Sequence, residues 1–373
     1  MPRVSLRELA GVFVKVGLVG FGGGVGMLAL IRRDVVEERK WITDEQLATG
    51  VALGQMLPGP FVTNYAEFIG YELRGLKGMT VAAVALLGPC FVLLLLLSWL
   101  YFRFGSMPLI ARLFAGIQPV VVGILAWATW SISRTNIRSW QALLIGLASA
   151  LALLMRGDVM LVVLGAGMAG IVLSGAWRQN ARLSAVGLWL GMSSGLAVPL
   201  VMARAGELAM VFLKVGTVVF GGGFAAIPFL QHEVVDLRGW LTMKEFIDCV
   251  ALGQLTPGPV AIMGAFIGYK VLGLAGAFIA TLGTFLPSAL MLLGLLQVYA
   301  RIREHALVKG FLTGVLPAVC GLLLGATVSV GRSALTGLPQ LVVALLSLAL
   351  LLRFRLNPAW LVLGGALLGL VLP

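Results

Sequence analysis

Two Pro-Gly-Pro triplets, Pro58-Gly59-Pro60 and Pro257-Gly258-Pro259, each follow a Gly-Gln pair, Gly54-Gln55 and Gly253-Gln254, inside otherwise apolar stretches. Proline has no N–H, so Pro58 and Pro60 leave the carbonyls of Gly54 and Met56 without helical donors, and a helix reaching the triplet must break. A half-helix that starts after the break carries free amides, around Phe61, Val62 and Thr63 in one case and Val260, Ala261 and Ile262 in the other. Free amides at the positive end of a helix dipole suit a tetrahedral oxyanion without a full positive charge. A kink that serves packing alone is the plainer reading of a single triplet, and the recurrence of the break argues for binding.

Other residues extend this anion chemistry. Gly22-Gly23-Gly24 and Gly221-Gly222-Gly223, each after a phenylalanine, cost roughly 1 kcal/mol per glycine inside a helix. They serve either close helix packing or a backbone stripped of side chains for a ligand. Lys15 and Lys214 lie seven residues before Gly22 and Gly221 and share their helical face. An ammonium at membrane depth is a functional candidate, with snorkelling to the interface as the alternative. Gln55, Gln254, Thr63, Asn64 and Thr256 can donate neutral hydrogen bonds. Glu67 has no acidic equivalent elsewhere and either carries a proton in a coupled cycle or pairs with a basic side chain.

No catalytic residues are assigned. Cys90, Cys249 and Cys320 lack CxxC spacing, His232 and His305 are far apart, and no Walker A run occurs, so no metal or cofactor is expected. An integral-membrane enzyme acting on lipid phosphates is the alternative class, but no acid, His or Cys constellation supplies its chemistry.

The elements that must position these residues are membrane helices. The 373 residues are 60% hydrophobic and 11% charged, far below the charged fraction of about 25% in soluble domains. The net charge of +12 then belongs to cytoplasmic loops and lipid headgroups, not to nucleic acid. Uncharged runs give thirteen candidate spans, those with Gly-Gly-Gly or Pro-Gly-Pro being broken or re-entrant, so the fold class is all-α, polytopic, with about 10–13 transmembrane helices. Lys15 interrupts the first apolar run and no cleavage site follows, so it reads as a retained helix and not as a signal peptide. Trp41-Ile42-Thr43 and Trp240-Leu241-Thr242 start a helix twice, through capping boxes Thr43 with Gln46 and Thr242 with Glu245.

The chain repeats itself. A shift of 199 aligns residues 13–60 with 212–259 at 22 identities in 48 positions, and a shift of 198 continues from Phe68 on Phe266 to Thr129 on Thr327. The expected division is a first repeat at 1–177, a linker with an extra transmembrane helix at 178–205 (apolar run Leu183 to Ala203), and a second repeat at 206–373. A crossing linker puts the second copy in inverted, as in many secondary transporters, and places most Lys and Arg inside; without it most would lie outside.

The paired FGGG, Trp-x-Thr and GQ-x-x-PGP motifs, with the FIGY runs and their following Gly75 and Gly78, or Gly273 and Gly276, resemble the chromate ion transporter family in its long, two-domain form. The resemblance covers nearly the whole chain. It implies a multi-pass carrier of the bacterial cytoplasmic (inner) membrane that confers chromate resistance by export, with sulfate as the related oxyanion. The expected partners are chromate or sulfate and membrane lipid, and a homodimer is compatible with the sequence. The binding atoms rest on the residue reading above.

Overall fold

The computed structural model describes residues 4–21, 23–105, 107–176, 200–302, 305–354 and 356–371, and among them there are helices and turns but no strand. The first copy runs α1 (Leu6–Val19), α2 (Gly23–Arg32), α3 (Asp44–Met56), α4 (Phe61–Phe104), α5 (Pro108–Asn136), α6 (Trp140–Leu154) and α7 (Val159–Leu173). The second runs α8 (Leu200–Val218), α9 (Ala226–Leu230), α10 (Met243–Leu255), α11 (Gly264–Ile302), α12 (Ala306–Ala334), α13 (Leu338–Phe354) and α14 (Pro358–Val371). Both α2 and α9 continue into a π-helical turn, Arg33–Glu38 and Gln231–Leu237. The expected linker helix falls largely outside the described residues.

Both expected capping boxes are formed: Thr43 and Thr242 each accept from the amide three residues on, and Gln46 and Glu245 bond back. The helices they start do not carry on through the Pro-Gly-Pro breaks as kinked spans. Gly50 packs on the Phe68 ring and Gly54 on the Tyr65 ring, so α3 and the start of α4 run antiparallel, a re-entrant hairpin with its tip at residues 57–60. The second copy repeats this, with the Cys249 thiol 3.6 Å from the Met263 carbonyl. The glycine breaks likewise turn the chain back, since Lys15 on α1 meets Asp34 after α2.

Helix α4 bends sharply at Arg74 and Gly75, and α11 at Leu272 and Gly273. Gly75 (φ +61°) and Gly273 (φ +59°) take a left-handed conformation that β-carbons disfavour, which lets each helix fold back. Gly70 then lies against Gly78, and Gly268 against Gly276, so closely that a Cβ on any of them would strike the opposing carbonyl.

Among the described residues, four helices are long and apolar enough to cross a bilayer by length and composition: Phe61–Phe104, Pro108–Asn136, Val260–Leu296 and Ala306–Ala334. Shorter apolar helices, α6, α7, α13 and α14, accompany them. The copies interlock, because α6 and α7 pack on α12 while α13 and α14 pack on α5. The closest approaches are reciprocal: Gly116 against Gly365 and Gly369, and Gly314 against Ala166 and Gly170. Thr129 and its repeat mate Thr327 meet each other at 3.2 Å. Seven residues earlier on α5, Val122 meets Gly331, four residues later on α12. These equivalent helices therefore pass antiparallel, as a pseudo-two-fold axis perpendicular to them requires.

Candidate functional site

Both Pro-Gly-Pro tips are buried and each bonds to the other copy. The Gly59 amide donates to the Val219 carbonyl at 2.6 Å, and the Gly258 amide to the Gly20 carbonyl at 2.9 Å. Val219 and Gly20 are the carbonyls that the glycine breaks leave unused, so each break supplies the acceptor that the opposite break needs. Only glycine fits there. Its φ is +102° at Gly59 and +107° at Gly258, a Cβ on Gly59 would lie 2.7 Å from the Ser288 Cβ, and one on Gly258 would collide with the Cys90 sulfur. Cys90 and Ser288 are themselves repeat mates.

Between the tips lies a cavity of about 150 Å³, lined by Pro60, Phe61 and Val62 from one tip, Pro259 and Val260 from the other, the glycines Gly24 and Gly221 to Gly223, and Trp127, Ser131 and Phe224. Two half-helices begin at this cavity, Phe61 opening α4 and Val260 a short 3-10 turn before α11. Their third residues are already engaged, Thr63 N–H to Pro60 and Ile262 N–H to Pro259. The first two amides of each are those that helix geometry leaves free. A Cβ on Gly223 would lie 3.2 Å from both the Val260 and the Ala261 nitrogens, so the glycine keeps those amides uncovered. On the other side the space over Gly24 and Gly222 is taken by the Phe61 ring, which a Cβ on either would strike.

The remaining expected residues divide. Pro58, Gly59, Pro60, Pro257, Gly258, Pro259, Gly24 and Gly221 to Gly223 come together at the tips and cavity; Gly22 lies outside the described residues. Lys15 is not at the cavity. It sits 2.7 Å from Asp34, which is 1% exposed, while Lys214 lies 3.9 Å from Glu233, a carboxylate that also takes Arg238. Asp34 and Glu233 are not among the residues expected from the sequence, although an acid stands 19 residues after each lysine in both copies. Gln55 is exposed, Thr256 bonds back to the Leu252 carbonyl, and the Gln254 amide nitrogen is buried without a partner. Thr63, Asn64 and Glu67 are buried and do not line the cavity.

A further group was not legible. Buried Asp248 on α10 accepts from the Tyr101 hydroxyl at 2.8 Å and the Gln118 amide at 3.0 Å, tying the second-copy hairpin to α4 and α5 of the first. Its repeat mate is Thr49, which bonds only within α3 to the Glu45 carbonyl. The hairpins are accordingly unequal: α10 packs on α5, α12 and α14 and is buried from Phe246 to Gln254, whereas α3 buries only Leu47, Gly50, Leu53 and Gly54. Among the described residues no cluster of His, Cys, Asp or Glu could hold a metal ion.

Comparison with known proteins agrees with this architecture. The chromate transporter family model matches twice, over residues 7–171 and 206–370. A chromate transport protein of Cupriavidus metallidurans is 34% identical over 99% of this chain and 94% of its own length. One from Pseudomonas aeruginosa is 30% identical over 100% and 94%. An uncharacterized transporter of Bacillus subtilis is 33% identical over 96% of its own length but 44% of this chain, a single copy of the repeat. No solved structure matches. The family is one of transporters and not of enzymes, which removes the lipid-phosphate reading. With each copy matched in turn and near-full-length relatives above 30%, the chain belongs to the chromate transporter family.

Proposed function

We propose that the protein is a secondary carrier that exports chromate, with sulfate as a competing oxyanion, across the bacterial cytoplasmic membrane by alternating access. The observation that carries this reading is the cavity between two reciprocally bonded Pro-Gly-Pro tips, where two half-helices begin. The free amides of Phe61, Val62, Val260 and Ala261 supply the anion contacts, since a helix start offers N–H donors and positive dipole at the same point. Gly59 and Gly258 position the tips, their own amides being used across the copies. Lys15 and Lys214, half exposed and already paired with acids, act at the entrances and not at the cavity.

Inverted repeats support the transport cycle. Equivalent helices α5 and α12 pass antiparallel, the arrangement expected if the second repeat, 206–373, enters the membrane opposite to the first, 1–177. The unequal packing of α10 and α3 is what one end state of such a cycle looks like, with one hairpin docked and its mate undocked. Exchange of the two environments would move access to the opposite side. Outward movement needs no ATP, because each negative charge leaving an interior-negative cell gains about 2.3 kcal/mol per 100 mV, roughly twice that for a dianion.

The test is chromate and sulfate flux in proteoliposomes under a set potassium diffusion potential. Chromate movement that follows voltage and is competed by sulfate supports the proposal. Flux indifferent to voltage, or equal in protein-free vesicles, refutes it.

A further inference from the structure

One turn into α4, Thr63 and Asn64 each neighbour Glu67, four and three positions away, and flank it on one side of the helix. They are 0%, 0% and 2% exposed. The Thr63 hydroxyl, both polar atoms of the Asn64 side chain and Oε2 of Glu67 have no hydrogen-bond partner. None of the ion pairs among the described residues includes Glu67. A carboxylate held out of water without a counter-charge must take up either a proton or a cation.

The fold does not require polarity here. The repeat register puts Ile262, Met263 and Ala265 at the matching places of the second copy, all buried and all apolar. An anion is the wrong ligand, because Glu67 would repel a dianion and none of the three residues lines the cavity. A proton on Glu67 would need one acceptor and would leave the other oxygens unexplained. A hydroxyl, an amide carbonyl and one carboxylate are together the oxygen set of a hard cation, and the single negative charge matches a monovalent one.

We propose that Thr63 Oγ1, Asn64 Oδ1 and the Glu67 carboxylate form a sodium-binding site in the first-copy hairpin. Occupancy discharges Glu67 and draws the stripe together directly below the Pro58-Gly59-Pro60 tip, which links the cation to the position of that tip. The site stands apart from the chromate reading, because it is measured without chromate.

The experiment is binding of radioactive sodium to the purified full-length protein in detergent at constant ionic strength. Saturable binding, displaced by unlabelled sodium but not by choline or potassium, is expected. Glu67→Gln, Asn64→Leu and Thr63→Val should each weaken it roughly tenfold or more, the loss that even outer-shell partners cause at metal sites. Thr63→Ser, which keeps the oxygen, should retain it, as should Asp248→Asn. Monodispersity and melting midpoint identify variants that fail to fold, for which Thr63→Ser and Thr63→Val form the deciding pair. Absence of saturable binding, equal displacement by potassium, or binding unchanged by Thr63→Val and Asn64→Leu overturns the site. A pH-dependent chromate flux abolished by Glu67→Gln and indifferent to sodium would assign the stripe to a proton instead.

Discussion

Replacing Gly258 by alanine tests whether the tips are fitted to each other as the structure describes. Two costs add. The backbone at φ +107° is strained for a residue with a β-carbon, about 1–3 kcal/mol. The new methyl also enters the space of the Cys90 sulfur, and overpacking of this kind costs about 1–3 kcal/mol. Gly258→Ala should therefore lose about 2–6 kcal/mol by the sum of those two effects. Gly273→Ala isolates the first: its φ is +59°, but nothing lies within 4 Å of the added methyl, so the backbone cost of about 1–3 kcal/mol stands alone. Cys90→Ala isolates the second, because removing the sulfur leaves only the Cys90 Cβ, 3.2 Å from the new methyl. The double variant Gly258→Ala/Cys90→Ala should then recover about 1–3 kcal/mol relative to the sum of the singles, a positive coupling between residues in contact. Thermal midpoints of purified protein and chromate flux in proteoliposomes give the two readouts. Gly258→Ala no more harmful than Gly273→Ala, or Cys90→Ala restoring nothing, would refute a steric fit between the second tip and Cys90.

Lys15→Met should destabilise by about 1–3 kcal/mol, less than a fully buried pair because the lysine is half exposed, and Lys15→Met/Asp34→Asn should be milder than the single change; chemical denaturation measures both, and a double variant worse than Lys15→Met would contradict an orphaned Asp34 as the cause. Tyr101→Phe removes a hydrogen bond to a carboxylate, a contact of about 1.5–3 kcal/mol, and should undock α10. Cys249, fully buried beside Asp248, reports this: in a Cys90→Ala/Cys320→Ala background its maleimide labelling should accelerate, and an unchanged rate would show that Tyr101 does not hold the hairpin. Phe61→Val gives the first copy the residue that the second has at Val260 and opens the space over Gly24 and Gly222. Inhibition of chromate flux by bulkier oxyanions should rise in this variant, and an unaltered inhibition series would place the anion elsewhere.

The helix starts were legible because capping is local: Thr43 with Gln46 and Thr242 with Glu245 need only a spacing of three, and both boxes form. Breaks at the Pro-Gly-Pro triplets were legible for the same reason, since two prolines around one glycine remove two N–H donors in succession, whereas the single prolines Pro89, Pro119, Pro287 and Pro317 stand inside continuous helices. The doubled motifs also carried the repeat and the family, and composition alone carried the membrane helices. What followed each break was not local. A helix that loses its hydrogen bonds at Pro58 can continue kinked or turn back, and the antiparallel contacts of Gly50 with Phe68 and Gly54 with Tyr65 decide for turning back. Tertiary structure alone supplied the partners of Gly59 and Gly258, carbonyls about 160 and 240 residues away that only the interlocking of two copies brings within reach. It also decided that Lys15 and Lys214 pair with Asp34 and Glu233, acids that the chain carries back to them after each glycine break. The unequal burial of α3 and α10 follows a sequence difference whose meaning only the fold supplies: Phe246, Ile247, Asp248 and Cys249 stand where the first copy has Leu47, Ala48, Thr49 and Gly50, and the helices around α10 bury all four of them.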